Sequence, residues 1–241
     1  MKLNILRRHK VISAVLVCLV LFVFVSVSLF YVSKSRDFQF FGELITHADT
    51  SKKMIAITID DGPTENTRKI LNTLDELDIK ATFFLCGIGI EARPDDAAAI
   101  AGAGHCIGNH SYSHKRMVFV SYSFCKEEIE STDALIRSTG YPGEIYFRPP
   151  YFKKLFMLPL YLKNNERKTI MADIEPETAL GFKAKPEAVA DYVITNVKSG
   201  SIILLHPMYN PEEVLPALNL IVPELKRQGY TFCTVEELIN E

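Results

Sequence analysis

Tryptophan is absent from this chain, so no site in it rests on an indole platform. Cysteine is scarce. Of the five, Cys18 falls inside an apolar N-terminal run, and Cys86, Cys106, Cys125 and Cys233 remain for the folded part without the spacing of a zinc knuckle. Cys86 and Cys106 end consecutive predicted strands and would meet in an oxidising compartment, but buried free thiols are the reading the pattern favours. Low-complexity segments and internal repeats are also missing. An excess of positive charge is lacking everywhere but at the start: Lys2, Arg7, Arg8, Lys10, Lys34 and Arg36 precede the first acidic residue, Asp37. The remaining 21 basic side chains face all 29 acidic ones, a net of −8 over residues 37–241. That balance excludes nucleic acid or a polyanionic surface as the main partner.

What is present suffices for one sizeable core, since 48% of the 241 residues are hydrophobic. Residues 1–10 form a basic flank, and Val11–Val32 form a run of 22 residues interrupted only by Ser13, Ser26, Ser28 and Tyr31. At about 1.5 Å per residue this run spans about 30 Å of hydrocarbon. The positive charge precedes it, which predicts a cytoplasmic N-terminus and an exported remainder, a single-pass membrane protein. Cleavage at Ser26-Val27-Ser28 is the competing expectation, but the run is long for a signal peptide. Residues 33–53 read as a tether and residues 54–241 as the functional domain.

From Met54 onward short apolar runs alternate with helical patterns. Strands are predicted at Met54–Ile59, Ala81–Cys86, His105–Gly108, Glu144–Phe147, Thr169–Ala172, Ser201–Leu205 and Tyr230–Phe232. Helices are predicted at Thr67–Leu77, Pro94–Ala101, Phe124–Ile136, Leu155–Leu162, Pro186–Val197 and Glu212–Arg227. This alternation predicts a mainly parallel sheet, closed or nearly closed into an α/β barrel, with an open doubly wound sheet as the alternative. Polar residues fall at the C-terminal strand ends, which share one face in a barrel: Asp60 and Asp61, His110 and His114, Arg148 and Tyr151, Asp173, and His206.

Two adjacent carboxylates at the end of Ile57-Thr58-Ile59-Asp60-Asp61-Gly62-Pro63 are costly unless a cation stands beside them. A helix cap explains one of them but not both. His110-Ser111-Tyr112-Ser113-His114 puts two imidazoles four apart, which on one helical turn suits two ligands of a single metal ion. Joined by a carboxylate from another strand end, they complete a two-His, one-carboxylate set with open coordination positions, which points to catalysis. With Asp61 as ligand, Asp60 is free to act as general base, and Arg148 can hold and orient it. Zinc is the metal that the ligand types favour. His206 ends a strong apolar strand and can protonate a leaving group, although a capped core histidine would read the same way. Asp173, ending its strand on the same face, is the carboxylate expected to raise the pKa of His206, ahead of Glu175 and Glu177. His105 reads as structural, and His9 and His47 lie outside the domain.

Thr58-Ile59-Asp60-Asp61-Gly62-Pro63, His110-Ser111-x-x-His114, Arg148-Pro149-Pro150-Tyr151 and Leu204-Leu205-His206 resemble, in order and spacing, the motifs of the polysaccharide deacetylase family. These are the family-4 carbohydrate esterases with the NodB homology domain, and the resemblance covers roughly residues 54–238. It implies an irregular (β/α) barrel of about seven parallel strands, here behind one N-terminal transmembrane helix. The implied reaction is metal-dependent N- or O-deacetylation of a sugar polymer. By the same resemblance Asp60 is the base, Asp61, His110 and His114 are the metal ligands, His206 is the acid and Arg148 orients the base. The backbone N–H of Tyr151 would bind the oxyanion. One motif departs: where the family has Asp-x-x-Asp-Trp, this chain reads Asp173-Ile174-Glu175-Pro176-Glu177-Thr178. The expected function is thus a membrane-anchored deacetylase acting on an acetylated envelope or extracellular polysaccharide or oligosaccharide. A non-haem iron oxygenase using the same ligand set and a non-catalytic carbohydrate-binding protein are the alternatives.

Overall fold

The computed structural model describes the backbone of residues 2–241 and the side chains from residue 9 onward, so most of the basic flank expected over residues 1–10 lies outside the described side chains. One helix, α1 (Lys2–Lys34), carries the apolar run, and the 26 residues His9–Lys34 are long and apolar enough to cross a membrane. After it come β1 (Leu44–Ile45), β2 (Met54–Gly62), α2 (Thr67–Glu76), β3 (Thr82–Leu85), α3 (Gly87–Ala92), α4 (Pro94–Gly102) and β4 (Cys106–Asn109). The second half contains α5 (Tyr122–Ser138), α6 (Met157–Asn164), β5 (Thr169–Ile170), α7 (Pro176–Leu180), α8 (Pro186–Asn196), β6 (Ile202–Leu205), α9 (Pro211–Arg227), β7 (Thr231–Cys233) and α10 (Val235–Ile239).

All strand pairs are parallel. β2 is the hub, pairing with β3, with β6 and, near its start, with β7, while β4 extends the order beyond β3. The ring then closes through single bridges: Asn109 to Phe147, Phe147 to Thr169, and Ile174 to Ile203. The strand expected at Glu144–Phe147 is therefore reduced to its last residue. Arg148 N still donates to Asn109 O at 3.0 Å, and Pro149 and Pro150 beyond it have no N–H to extend a ladder. The result is an irregular (β/α) barrel.

Alternation along β2 sorts its side chains into two environments. Ile55, Ile57 and Ile59 face outward into the main core, which they share with Leu218 and Ile221 of α9. Ala56 faces the smaller inner cluster of Phe84, Tyr146, Ile170 and Leu204, and Thr58 and Asp60 share its side of the strand. The four cysteines of the domain are buried and free, and Cys106 Sγ lies 3.0 Å from the Tyr141 hydroxyl.

Residues 33–53 are not a loose tether. Leu44 and Ile45 of β1 pair with Thr169 and Ile170 of β5, and Ala48 donates its N–H to Gly200 O at 2.9 Å. Gly200 has φ +84°, and a Cβ there would stand 1.9 Å from Ala48 O, so only glycine admits this approach. A fragment spanning 33–241 should accordingly be more stable than one spanning 54–241. The β1 ladder and the burial of Ala48 and Ile45 account for on the order of 3 kcal/mol. Equal urea midpoints for the two fragments would contradict the integration of this segment.

Candidate active site

The two inward residues of β2 directly below Asp60 are Ala56 and Thr58, and these small side chains leave room for one guanidinium. Arg148 fills it and is fully buried. Its Nη1 donates to Asp60 Oδ1 and to Thr58 Oγ1, both at 2.7 Å, its Nη2 to Met171 O at 2.8 Å and its Nε to Ile170 O at 3.3 Å. The guanidinium carbon also lies 4.0 Å from the centroid of the Phe84 ring. A buried charge is tolerable when it is paired and its donors are used, and this one meets both conditions. The arrangement anchors Oδ1 of Asp60 and leaves Oδ2 toward His110, 3.6 Å from its Nε2.

Asp61 turns the other way, with φ 68°, and its Oδ1 stands 3.0 Å from His114 Nε2 and 3.4 Å from His110 Nε2. Burial pushes the pKa of Asp61 up, but the two histidines beside it outweigh that and hold the carboxyl well below the usual range. His110 responds in the opposite sense: burial lowers its pKa, while Asp60 and Asp61 outweigh that and raise it. One ligand atom from each of Asp61, His110 and His114 lies within 4.8 Å of the others. Asp61 Oδ1 is buried without a well-formed hydrogen bond, and His110 Nδ1 is taken by Arg148 O at 2.8 Å, which aims Nε2 at the cluster. An orphaned buried oxygen facing two imidazole nitrogens fits a divalent cation.

The two histidines do not converge on a helical turn as expected. Residues 110–114 form a loop, with Ser111 at φ 65° and His114 at φ 54°. Its backbone is held from several sides. His110 N donates to Leu85 O, Ser111 N to Asn109 Oδ1, and Gly87 N and Ile88 N donate to Ser111 O and Tyr112 O. Glu128 of α5 takes Tyr112 N at 3.1 Å, Ser113 N at 2.8 Å and Ser113 Oγ at 2.7 Å. Sequence reasoning missed Glu128, although its signal was present: a carboxylate on the apolar stripe Cys125, Glu128, Ile129, Thr132, Ile136.

His206 follows β6, and the carboxylate beside it is Glu177, not Asp173. Glu177 Oε1 accepts the His206 N–H at 2.8 Å and lies 3.7 Å from His206 Nδ1, an ion-pair separation. Burial lowers the pKa of His206, but the Glu177 carboxylate, then Asp60 and Asp61, outweigh it and raise it. Asp173 is engaged elsewhere, accepting from Ser201 Oγ at 2.9 Å and Ile202 N at 2.8 Å, so it serves the barrel closure rather than His206. Proline explains the exchange: Pro176 starts α7, and the next residue, Glu177, points inward and is buried. Glu175 pairs with Arg36 at the cleft wall. His105 is structural as expected, its Nδ1 accepting from Ala81 N at 3.1 Å, and burial with Lys80 pushes its pKa down to about 4.

Tyr151 has φ 56°, its N–H has no acceptor among the described residues, and its ring centroid lies 4.6 Å from that of His114. A cleft of about 440 Å³ joins these groups, with Asp60, Asp61, His110, His114, Tyr151 and His206 among its lining. Phe182, whose ring lies 5.4 Å from His206, and the exposed Tyr209 supply aromatic walls where the chain has no tryptophan.

Carboxylates and imidazoles gathered at the C-terminal strand ends of a parallel α/β barrel stand where barrels of this kind carry their active sites. The family model described as polysaccharide deacetylase matches residues 47–158. A peptidoglycan-N-acetylglucosamine deacetylase of Bacillus cereus is 34% identical over 195 residues, covering 79% of this chain and 70% of the relative. A bifunctional xylanase/deacetylase of Pseudobutyrivibrio xylanivorans is 31% identical over 191 residues, covering 79% of this chain but only 31% of that larger protein. Among solved structures, a peptidoglycan N-acetylglucosamine deacetylase in complex with 4-naphthalen-1-yl-N-oxidanyl-benzamide superposes with a TM-score of 0.75 at 29% identity, over 81% of this chain and 92% of that one. The chain belongs to the polysaccharide deacetylase family.

Replacing Arg148 by Met should cost about 3–5 kcal/mol, because it strands the buried Asp60 carboxylate. Arg148→Lys should recover little of this, since one ammonium cannot reach Asp60, Thr58, Ile170 O and Met171 O together. Chemical unfolding of the two variants reads the difference, and full rescue by lysine would refute the geometric role.

Proposed function

We propose that the chain is a metal-dependent deacetylase that removes N- or O-acetyl groups from an amino sugar polymer of the cell envelope, held to a membrane by α1. One observation carries the reading: Asp60, held by Arg148, and His206, backed by Glu177, line the same cleft as the Asp61, His110 and His114 cluster. Those three residues would hold a divalent ion, zinc by ligand type, which when bound supplies Lewis acidity toward the acyl oxygen and toward water. Asp60, as general base, takes the proton of the attacking water, and Arg148 keeps its Oδ1 occupied so that Oδ2 is the oxygen that acts. The free N–H of Tyr151 donates to the developing oxyanion. His206 delivers its proton to the leaving amine or alkoxide as the bond to the acyl carbon breaks, releasing acetate.

Anchoring by α1 with the domain on the non-cytoplasmic side is supported by the length of the apolar helix and by the basic residues before it in the sequence.

Acetate release from N-acetylated glycan strands, measured with the metal-loaded protein, tests the reading as a whole. His110→Ala should lose roughly 10- to 100-fold in zinc affinity. Asp60→Asn should keep its metal and lose on the order of 10²- to 10⁴-fold in rate. Metal loss with Asp60→Asn, or full metal retention with His110→Ala, would overturn the division of roles.

The raised pKa of His206 keeps its proton available to higher pH, and the Glu177 carboxylate is the nearest charge that raises it. Glu177→Gln should therefore move the basic limb of the pH profile of kcat/KM to lower pH. Asp173→Asn should leave that limb in place. A shift with Asp173→Asn alone would restore the assignment made from sequence.

A further inference from the structure

The end of α1 is clamped to the catalytic domain rather than hinged on it. Lys154, buried in the segment before α6, donates its backbone N–H to Ser33 O at 3.0 Å and its Nζ to Ser35 O, so it caps the last turn of the helix. Ser33 is itself buried. Arg36, two residues beyond the helix end, pairs with Glu175, donates to Ala172 O at 3.3 Å, lies 4.3 Å over the Phe152 ring and forms part of the cleft wall. Two residues are at most about 7 Å of chain, so the exit of the membrane-length helix and the mouth of the cleft are neighbours.

The surface around that exit has the composition of a membrane interface. Phe38, Phe40, Phe156 and Met157 are exposed, and Phe119 is 81% exposed. Phe40 stacks on Phe156 at 4.7 Å and meets Phe38 at 5.4 Å, while Phe119, Phe156 and Met157 line one shallow surface depression. Cations stand over other aromatic rings at the helix end and the cleft mouth: Lys153 lies 5.3 Å over Phe30, Lys34 4.6 Å over Tyr31, and Arg116 5.0 Å over Tyr151. Aromatic side chains beside lysine and arginine at the end of an apolar helix belong at the headgroup level, where anionic lipid attracts the cations.

We infer that this face rests on the headgroups of the bilayer that α1 crosses, and that the cleft consequently takes an acetylated amino sugar presented at the membrane surface, on a lipid carrier, in preference to the same sugar free in solution. The inference rests on the deacetylase reading for its substrate and on the anchoring by α1 for its partner. Continuity of the face with the helix exit selects the bilayer over a second copy of this chain.

Because the chain has no tryptophan, a single reporter is clean. Full-length Phe119→Trp, reconstituted in phosphatidylglycerol-containing vesicles with brominated acyl chains, should be quenched at least about twofold more than Leu220→Trp on α9. Equal quenching overturns the docking. An emission blue-shifted but unquenched by bromine assigns the face to a protein partner or a second copy and overturns it too. In the same vesicles kcat/KM should be about tenfold higher for a polyprenyl-diphosphate-linked N-acetylated disaccharide than for the same disaccharide in solution, as surface confinement raises effective concentration. Phe119→Asp with Phe156→Asp, still held to the vesicle by α1, should lower that ratio without abolishing it, while leaving turnover of the soluble disaccharide unchanged. Equal kcat/KM for both substrates in the parent protein overturns the substrate class. Acetate release from neither substrate sinks the deacetylase reading instead, and the quenching result still decides the docking.

Discussion

The pairing of Arg148 with Asp60 inside the barrel is the constraint on which the rest of the site depends. A guanidinium in the lumen needs small residues beneath it, an aromatic face against it and acceptors on each of its edges. Ala56 and Thr58, Phe84, and the carbonyls of Ile170 and Met171 meet those needs from three separate strands. The ring closes only through single bridges at Phe147 and Ile174, and in that irregular part Arg148 supplies hydrogen bonds that a regular ladder would have made. One side chain thus joins barrel closure to the orientation of the Asp60 carboxylate.

Strain is concentrated around the same cleft. Of eight non-glycine residues with positive φ among the described residues, five are Asp61, Ser111, His114, Tyr151 and Phe152. Each such residue costs on the order of 1–3 kcal/mol and persists only where its surroundings over-determine it. Glu128, Asn109 and the start of α3 provide that enforcement for the loop carrying both histidines. The carboxylate and imidazoles converge because the backbone is forced to turn there.

Much of this was legible because short motifs carry it. Asp60 and Asp61 at the end of an apolar run, His110 and His114 four apart, and His206 after Leu204-Leu205 all lie where alternation and strand polarity place them. The path of the 110–114 loop was not legible, since i and i+4 spacing suits a helical turn and a strained loop equally. Glu177 was obscured for a related reason: its direction depends on where Pro176 starts α7, which no periodicity reports. Residues 33–53 looked like a tether because their two-residue strand is too short to show alternation. Arg36 had no signal at all, being one more cation after an apolar run until the fold brings Glu175 and Phe152 to it.

The clamp of Lys154 on Ser33 and Ser35 has a consequence for shedding. Both contacts, and Arg36 with them, lie downstream of Ser26-Val27-Ser28, so a protease that severed α1 there would leave the cleft wall entire. The freed domain would carry away all its chemistry and lose only its address. Detachment would then change which molecules the cleft meets without changing the groups that line it, and the length of α1 retained would set where those groups are presented.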